Sequence, residues 1–294
     1  RLVAAAYIDR ADGSAALLLV VHHLAIDGVS WRILLEDLEN LLAGKPLPAP
    51  TAPTTADLAI AENSIANNPA LLREGARWKH LLKLRNPTPW HQSPALPSSQ
   101  HFVHTAKLSV DATKALQGPS LPELDTILLC AFNHALTDQF GNCDFVALIE
   151  GHGRDAPTRD LSLESTVGWH TTLHPLVLRA LPESPKDAIN HIQKSRQAGP
   201  NSGIGFLRLM MSNHGADLAA ATKAAIGFNY LGEIGTQNNS SSGLNVIGSL
   251  GDQSDPAANA FHPIDLLASI QNGELELRLS VAPNVAGTET ALKV

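Results

Sequence analysis

The chain has 294 residues, 44% of them hydrophobic and 17% charged, a balance that fits one large folded domain or two lobes and argues against disorder. A formal charge of −7, with no Lys/Arg cluster to oppose it, argues against a nucleic-acid partner. No apolar run reaches membrane-spanning length and no signal peptide opens the chain; Cys130 and Cys143 make neither a disulfide framework nor a zinc spacing. No membrane partner is expected, and a reducing, cytoplasmic setting is the default.

Ala4–Ile8, a turn at Ala11–Gly13 and the apolar run Ala15–Val21 predict a hairpin whose second strand is buried. A helix follows from about Val29 to Leu42, with Val29, Ile33, Leu34, Leu38, Leu41 and Leu42 as its apolar stripe, and Gly44 and Pro46 stop it. Pro46–Thr55 reads as a linker, Ala56–Leu82 as a helical stretch, and Asn86–Ser99 as a second connection. A strand at Phe102–Leu108, a helix at Asp111–Gln117 and a strongly apolar helix at Leu124–Phe140 come next. Cys130 packs within that last helix.

Phe145–Ile149 predicts a buried strand ending at Glu150. Val167–Thr172 and Leu176–Leu178 predict strand interrupted at Pro175. Asp187–Gln197 reads as helix, Ala225–Tyr230 as strand and Gln237–Gly243 as a flexible loop. Ser269 and Ile270 with Glu274–Val281 predict a hairpin over Asn272-Gly273. Helices and strands are mixed without a fixed repeat. The chain opens at Arg1 almost inside a strand and stops soon after a helix start at Thr288–Thr290, so a piece of a longer polypeptide is expected.

Four stretches carry candidate chemistry. The first runs His22-His23-Leu24-Ala25-Ile26-Asp27-Gly28-Val29-Ser30-Trp31-Arg32. Neighbours on an extended chain point to opposite faces, so without a local turn one histidine is expected to be buried and the other exposed. That spacing also speaks against a metal chelate, and no metal is expected. Asp27 or Gly28 lies at a helix N-terminus, where unpaired N–H groups favour negative charge.

The second is Glu150-Gly151-His152-Gly153-Arg154. A carboxylate ending an apolar strand is easily desolvated, which raises its pKa toward a general-base value. The competing reading is a salt bridge from Glu150 to Arg154 or another cation. The third is Ser165-Thr166-Val167-Gly168-Trp169-His170-Thr171, a close backbone approach beside an anchored ring. His170 and His174 share strand parity there, and surface or half-buried histidines are favoured over a metal pair. In the fourth, Gly227-Phe228-Asn229-Tyr230-Leu231-Gly232, Asn229 and Tyr230 divide between the two strand faces.

Together these stretches resemble the epimerization domains of nonribosomal peptide synthetases, part of the condensation superfamily. His22–Arg32, Glu150–Arg154, Thr166–Thr171 and Phe228–Gly232 match that family's motifs in order, and Gly203–Phe206 echoes a further one. Departures are His170 for a usual phenylalanine, Glu233 where glutamine is common, Phe206 for tyrosine, and Ser165 where arginine is frequent. None of them touches His23 or Glu150.

The resemblance implies an α/β fold like chloramphenicol acetyltransferase, a two-lobe sandwich with the active site between the lobes and most of the N-terminal lobe missing here. Residues 1–50 would end that lobe, 51–98 connect, and 99–294 form a C-terminal lobe cut short at its end. It implies L-to-D epimerization of an aminoacyl or peptidyl thioester carried on the 4'-phosphopantetheine of a peptidyl carrier domain, with neighbouring synthetase domains as partners and no cofactor of the domain's own. Glu150 is then the base, and His23 stabilises the enolate or returns the proton. His22, Asp27, Gly28, Trp31, Arg154, Trp169, Asn229 and Tyr230 support structure or substrate: Asp27 pairs with an arginine, and Gly28 keeps the pantetheine path clear. The alternatives are a peptide-bond-forming condensation domain, or a carrier-docking domain without turnover. A free-standing acetyltransferase fits worst, since it lacks the second histidine and Glu150.

Overall fold

A computed structural model describes residues 1–47, 53–65, 69–90, 93–154, 162–212, 215–223, 225–234, 247–248 and 255–285. The loop expected at Gln237–Gly243 and the helix start at Thr288–Thr290 lie outside them. The chain forms two compact units: one from Arg1–Ile65 and Gly151–Thr172, the other from Ala66–Glu150, Leu173–Asn238 and Val246–Val294, each over its described residues.

In the first unit, β1 (Val3–Asp9) and β2 (Ala15–Val21) form the expected antiparallel hairpin, with Val3 opposite Val21 and Asp9 opposite Ala15. Its turn is held by Asp12, which accepts from the Ser14 backbone N–H and hydroxyl at 2.9 and 2.7 Å, with Gly13 at φ 81°. The second strand is not buried as expected. Every residue of β1 is exposed and β2 is at most half-buried, because a two-stranded ribbon has no third strand at either edge among the described residues.

A single 3₁₀ turn, His23–Ala25, leads into α1 (Gly28–Leu42), and α2 spans Thr55–Ile65. The helical stretch expected from Ala56 to Leu82 is two helices. Pro69 is the first residue of the second, α3 (Pro69–Leu81), a position where its missing N–H costs no helical hydrogen bond.

The second unit is built on a six-stranded mixed sheet. Its strands are β3 (Phe102–Leu108), β4 (Phe145–Gly151), β5 (Thr172–Leu178), β6 (Ile226–Ile234), β7 (Ile264–Gln271) and β8 (Glu274–Val281), in the order β3-β8-β7-β6-β4-β5. β4 pairs parallel with β6, and β6 with β7; β8 runs antiparallel to β7 and β3. Around it lie α3, α4 (Val110–Leu116), α5 (Leu124–Phe140), α6 (Pro185–Ala198), α7 (Phe206–Met211) and α8 (Ala216–Thr222).

β4 shows why its sequence is an unbroken apolar run. Phe145, Ala147 and Ile149 join one core cluster with Leu129, Phe132, Leu136, Phe228 and Leu279, while Val146 and Leu148 join another with Trp78, Phe206 and Leu209. A strand covered on both faces has no polar alternation to show. Glu150 continues the Val146–Leu148 face and is the first exposed residue of the strand. At the sheet edge, β5 passes through Pro175 without the expected interruption; an edge strand has a free side toward which proline can turn its missing N–H.

The hairpin over Asn272-Gly273 is present, with φ of 51° and 81° at the two turn residues, as the tight turn requires.

Candidate functional site

The His-His stretch leaves β2 and turns at once. His22 caps the 3₁₀ turn, its Nδ1 accepting from the Leu24 N–H at 3.1 Å. Both His22 and His23 are exposed, which corrects the expectation that one is buried: alternation of faces stops where the strand stops. His22 is a local cap, and His23 is left with its ring against Trp169. The two ring centroids lie 5.7 Å apart in an edge-to-face arrangement at 61°.

Asp27 caps α1, its Oδ1 accepting from the Ser30 N–H at 2.8 Å. Arg154 grips the same carboxylate with both terminal nitrogens, Nη1 to Oδ2 and Nη2 to Oδ1, each at 3.0 Å. Both side chains are buried, 6% and 3% exposed, so the pair has little solvent screening. The guanidinium also donates to the His152 carbonyl at 3.0 Å, the Ser30 hydroxyl at 3.0 Å and the Thr166 carbonyl at 3.2 Å. The partner expected for Asp27, an arginine, is therefore Arg154.

Gly153, between His152 and Arg154, has to be glycine. Its φ is +63°, and a Cβ there would lie 1.5 Å from the His170 carbonyl oxygen.

Burial alone would raise the Asp27 pKa, but the hydrogen bonds from Arg154, Ser30 and His170 outweigh it and hold it down at about 2. A folded-state pKa below the unfolded value gives stability that is complete above about pH 4, fades as pH falls toward about 2, and is absent below, roughly 2 kcal/mol in all. The urea midpoint for unmasking residues 22–32 and 162–171 to pulse labelling is therefore expected to fall between pH 4 and pH 2. An Asp27→Asn variant should show no such step.

Val167–Thr171 is irregular rather than strand. Its backbone groups are used elsewhere: the Gly168 N–H donates to Ser30 Oγ at 3.0 Å, and the His170 N–H to Asp27 Oδ2 at 3.0 Å. His170 is buried. Ser30, a member of the His22–Arg32 motif to which the sequence assigns no role of its own, is fully buried at the centre of these bonds. Its only sequence signal is the Asp-x-x-Ser spacing of a helix cap.

Trp31 is half-buried on α1. A Cβ on Gly28 would meet nothing within 4 Å among the described residues, so neither backbone nor packing against those residues requires glycine at this helix start.

In the second unit the expected division of β6 holds. Phe228 lies in the core and Tyr230 packs against it, its hydroxyl pKa raised by burial and by the charges of Asp125 and Glu233. Asn229 points the other way and donates from Nδ2 to Glu150 Oε2 at 2.6 Å. The strand register shifts between Tyr230 and Glu233, and Gly232 has φ of 72°; a bulge of this kind explains the glycine at the end of that motif. Glu150 is exposed, not desolvated as expected, and one of its oxygens is fixed by a neutral donor.

Among the described residues no group of three or more His, Cys, Asp or Glu is placed to hold a metal ion. No helix among them is long and apolar enough to cross a membrane.

The condensation-domain family model matches residues 1–284. The chain belongs to that family. Curated relatives include surfactin synthase subunit 1 of Bacillus subtilis (strain 168), 29% identical with 92% of this chain and 8% of the relative covered. Bacitracin synthase 3 of Bacillus licheniformis is 30% identical over 91% of this chain and 4% of its own length. This condensation-family domain thus spans under a tenth of the length of either relative. Among solved structures, the epimerization domain from the third module of tyrocidine synthetase B is similar at a TM-score of 0.81 and 26% identity, covering 99% of this chain and 68% of that one. The first condensation domain of the CDA synthetase shares the fold, at a TM-score of 0.63 and 18% identity over 99% and 63% of the two chains. The mixed α/β fold of the condensation-family domain is therefore the one expected from its motifs.

Proposed function

We propose that this domain epimerizes the α-carbon of an aminoacyl or peptidyl thioester held on a carrier domain's phosphopantetheine arm, within a nonribosomal peptide synthetase. The observation that carries this reading is Glu150: an exposed carboxylate at the end of a fully buried strand, with one oxygen fixed by Asn229 at 2.6 Å. A hydrogen bond from the Asn229 amide fixes the orientation of that carboxylate oxygen, as a positioned general base requires.

In the proposed step, Glu150 takes the proton from Cα and the electron pair moves onto the thioester carbonyl, giving an enolate. His23, in its protonated form, returns a proton to the opposite face of that enolate. Glu150 ends protonated and His23 neutral, and exchange with solvent resets both. The thioester carbonyl is the electron sink, so the protein supplies position and two proton-transfer groups. The likeness to an epimerization domain at 26% identity and the Glu-Gly-His-Gly-Arg motif support this reading.

A second reading has support in the family model itself, which is that of condensation domains: His23 would assist attack of an amine on the thioester. The two separate in one experiment on the full-length polypeptide, with its carrier loaded with an L-aminoacyl thioester in heavy water. Epimerization predicts α-deuterium and D-isomer in the released amino acid. Retained α-protium, with peptide bond formation once an acceptor is supplied, refutes it and supports condensation; silence in both assays supports a docking domain.

A further inference from the structure

Trp169 is 51% exposed, so core packing does not hold its ring in place, yet the backbone on either side of it is pinned to the start of α1. Before it, the Ser30 hydroxyl accepts from Gly168 N–H at 3.0 Å and donates to the Gly168 carbonyl at 2.9 Å. After it, Asp27 accepts from His170 N–H at 3.0 Å. Arg154 donates to both Ser30 and Asp27, so the two pins share one buried anchor. A Cβ on Gly168 would sit 2.9 Å from His170 Nε2 and 3.4 Å from Thr55 Oγ1, which leaves little room for any other residue under the clamp. The ring held this way is the one that meets His23.

We propose that Ser30 is a positioning residue for His23. Its hydroxyl fixes the Gly168 backbone on one side of Trp169 while Asp27 holds His170 on the other, the backbone fixes the Trp169 ring, and the ring limits the rotation of an imidazole that is otherwise exposed. This rests on the role given to His23 above. An edge-to-face ring contact biases orientation about 2- to 10-fold, and that is the size of effect the test has to read.

The test is carbethoxylation of the full-length polypeptide by diethyl pyrocarbonate at one fixed pH, with His22 and His23 resolved by peptide fragmentation in a mass spectrometer. The parent is compared with Ser30→Ala, Trp169→Leu and Trp169→Phe. His23 should react 2- to 10-fold faster in the Ser30→Ala and Trp169→Leu proteins and at the parental rate in Trp169→Phe, which keeps a ring. His22, whose Nδ1 is engaged by Leu24, should react equally in all four. Turnover should follow the same pattern as a fall in kcat with KM for the loaded carrier unchanged.

Parental His23 reactivity in a folded Ser30→Ala protein or in Trp169→Leu overturns the proposal, and so does a parallel rise at His22, which would mean general loosening. Trp169 lies half in solvent, so its leucine variant keeps the test open if Ser30→Ala does not fold. Labelling needs no turnover: absence of epimerization in the parent would sink the functional reading while the labelling still decides the positioning.

Discussion

Arg154→Met should strip the amides of Ser30, Gly168 and His170 of about 10²- to 10³-fold of their hydrogen-exchange protection, while peptides from β7 and β8 stay at the parental level. The variant keeps side-chain length and removes the countercharge of Asp27, whose carboxylate is 3% exposed. Breaking a buried pair by deleting one partner leaves the other charge desolvated and costs about 3–5 kcal/mol. The guanidinium's bonds to the Thr166 carbonyl, the His152 carbonyl and the Ser30 hydroxyl are lost with it. Adding Asp27→Asn to Arg154→Met should recover part of the protection, because the orphaned charge is gone while the amide oxygen remains as acceptor for one of the two amides, Ser30 or His170, that the carboxylate oxygens hold. Local exchange is the right measure, since a chain of two compact units need not have a single unfolding free energy. Equal protection in parent and Arg154→Met would show that the pair does not hold this region together.

The second large effect is a separation of exchange from inversion. If Glu150 removes the proton and His23 supplies its replacement from the other face, His23→Gln disables only the second transfer. The enolate then regains a proton from the Glu150 side. The L-thioester should still take up α-deuterium, within about tenfold of the parental rate, while formation of the D-isomer drops by about 10²- to 10⁴-fold, the usual contribution of one acid–base group. A variant that loses exchange and inversion together would assign His23 to enolate stabilisation instead. Gln keeps the polar bulk, and His23 is exposed, so folding should not confuse the result.

How much of this was legible in the sequence depends on the range of the interactions. The Asp27 cap, the Asn272-Gly273 turn and the apolar runs of α5 and β4 are local signals, and each produced its element. α7 and α8 were missed. They are six and seven residues long and start at Gly205 and Gly215 without a side-chain cap, so neither periodicity nor a start signal marks them. Only the last two core residues of β7 were read as strand, although its earlier residues Ile264, Leu266 and Ala268 are buried.

At the candidate site, residue types and motif order pointed to His23 and Glu150, but their surroundings were misjudged. Burial of one histidine was argued from strand alternation, and a 3₁₀ turn removes the premise. Desolvation of Glu150 was argued from the apolar run before it; the run ends one residue too soon. The role of Ser30 is not legible from the motif that contains it, because its partner Gly168 is 138 residues away and no local pattern encodes such a contact.

The role of Glu150 as the base is read from the α-deuterium content of an L-aminoacyl thioester on the carrier, in heavy water, with the parental polypeptide and with Glu150→Gln under single-turnover conditions. Gln preserves the bond partner of Asn229 and removes the basic oxygen. Uptake should be rapid with the parent and fall about 10²- to 10⁴-fold with the variant, at unchanged binding of the loaded carrier. Uptake at the parental rate in Glu150→Gln would contradict it.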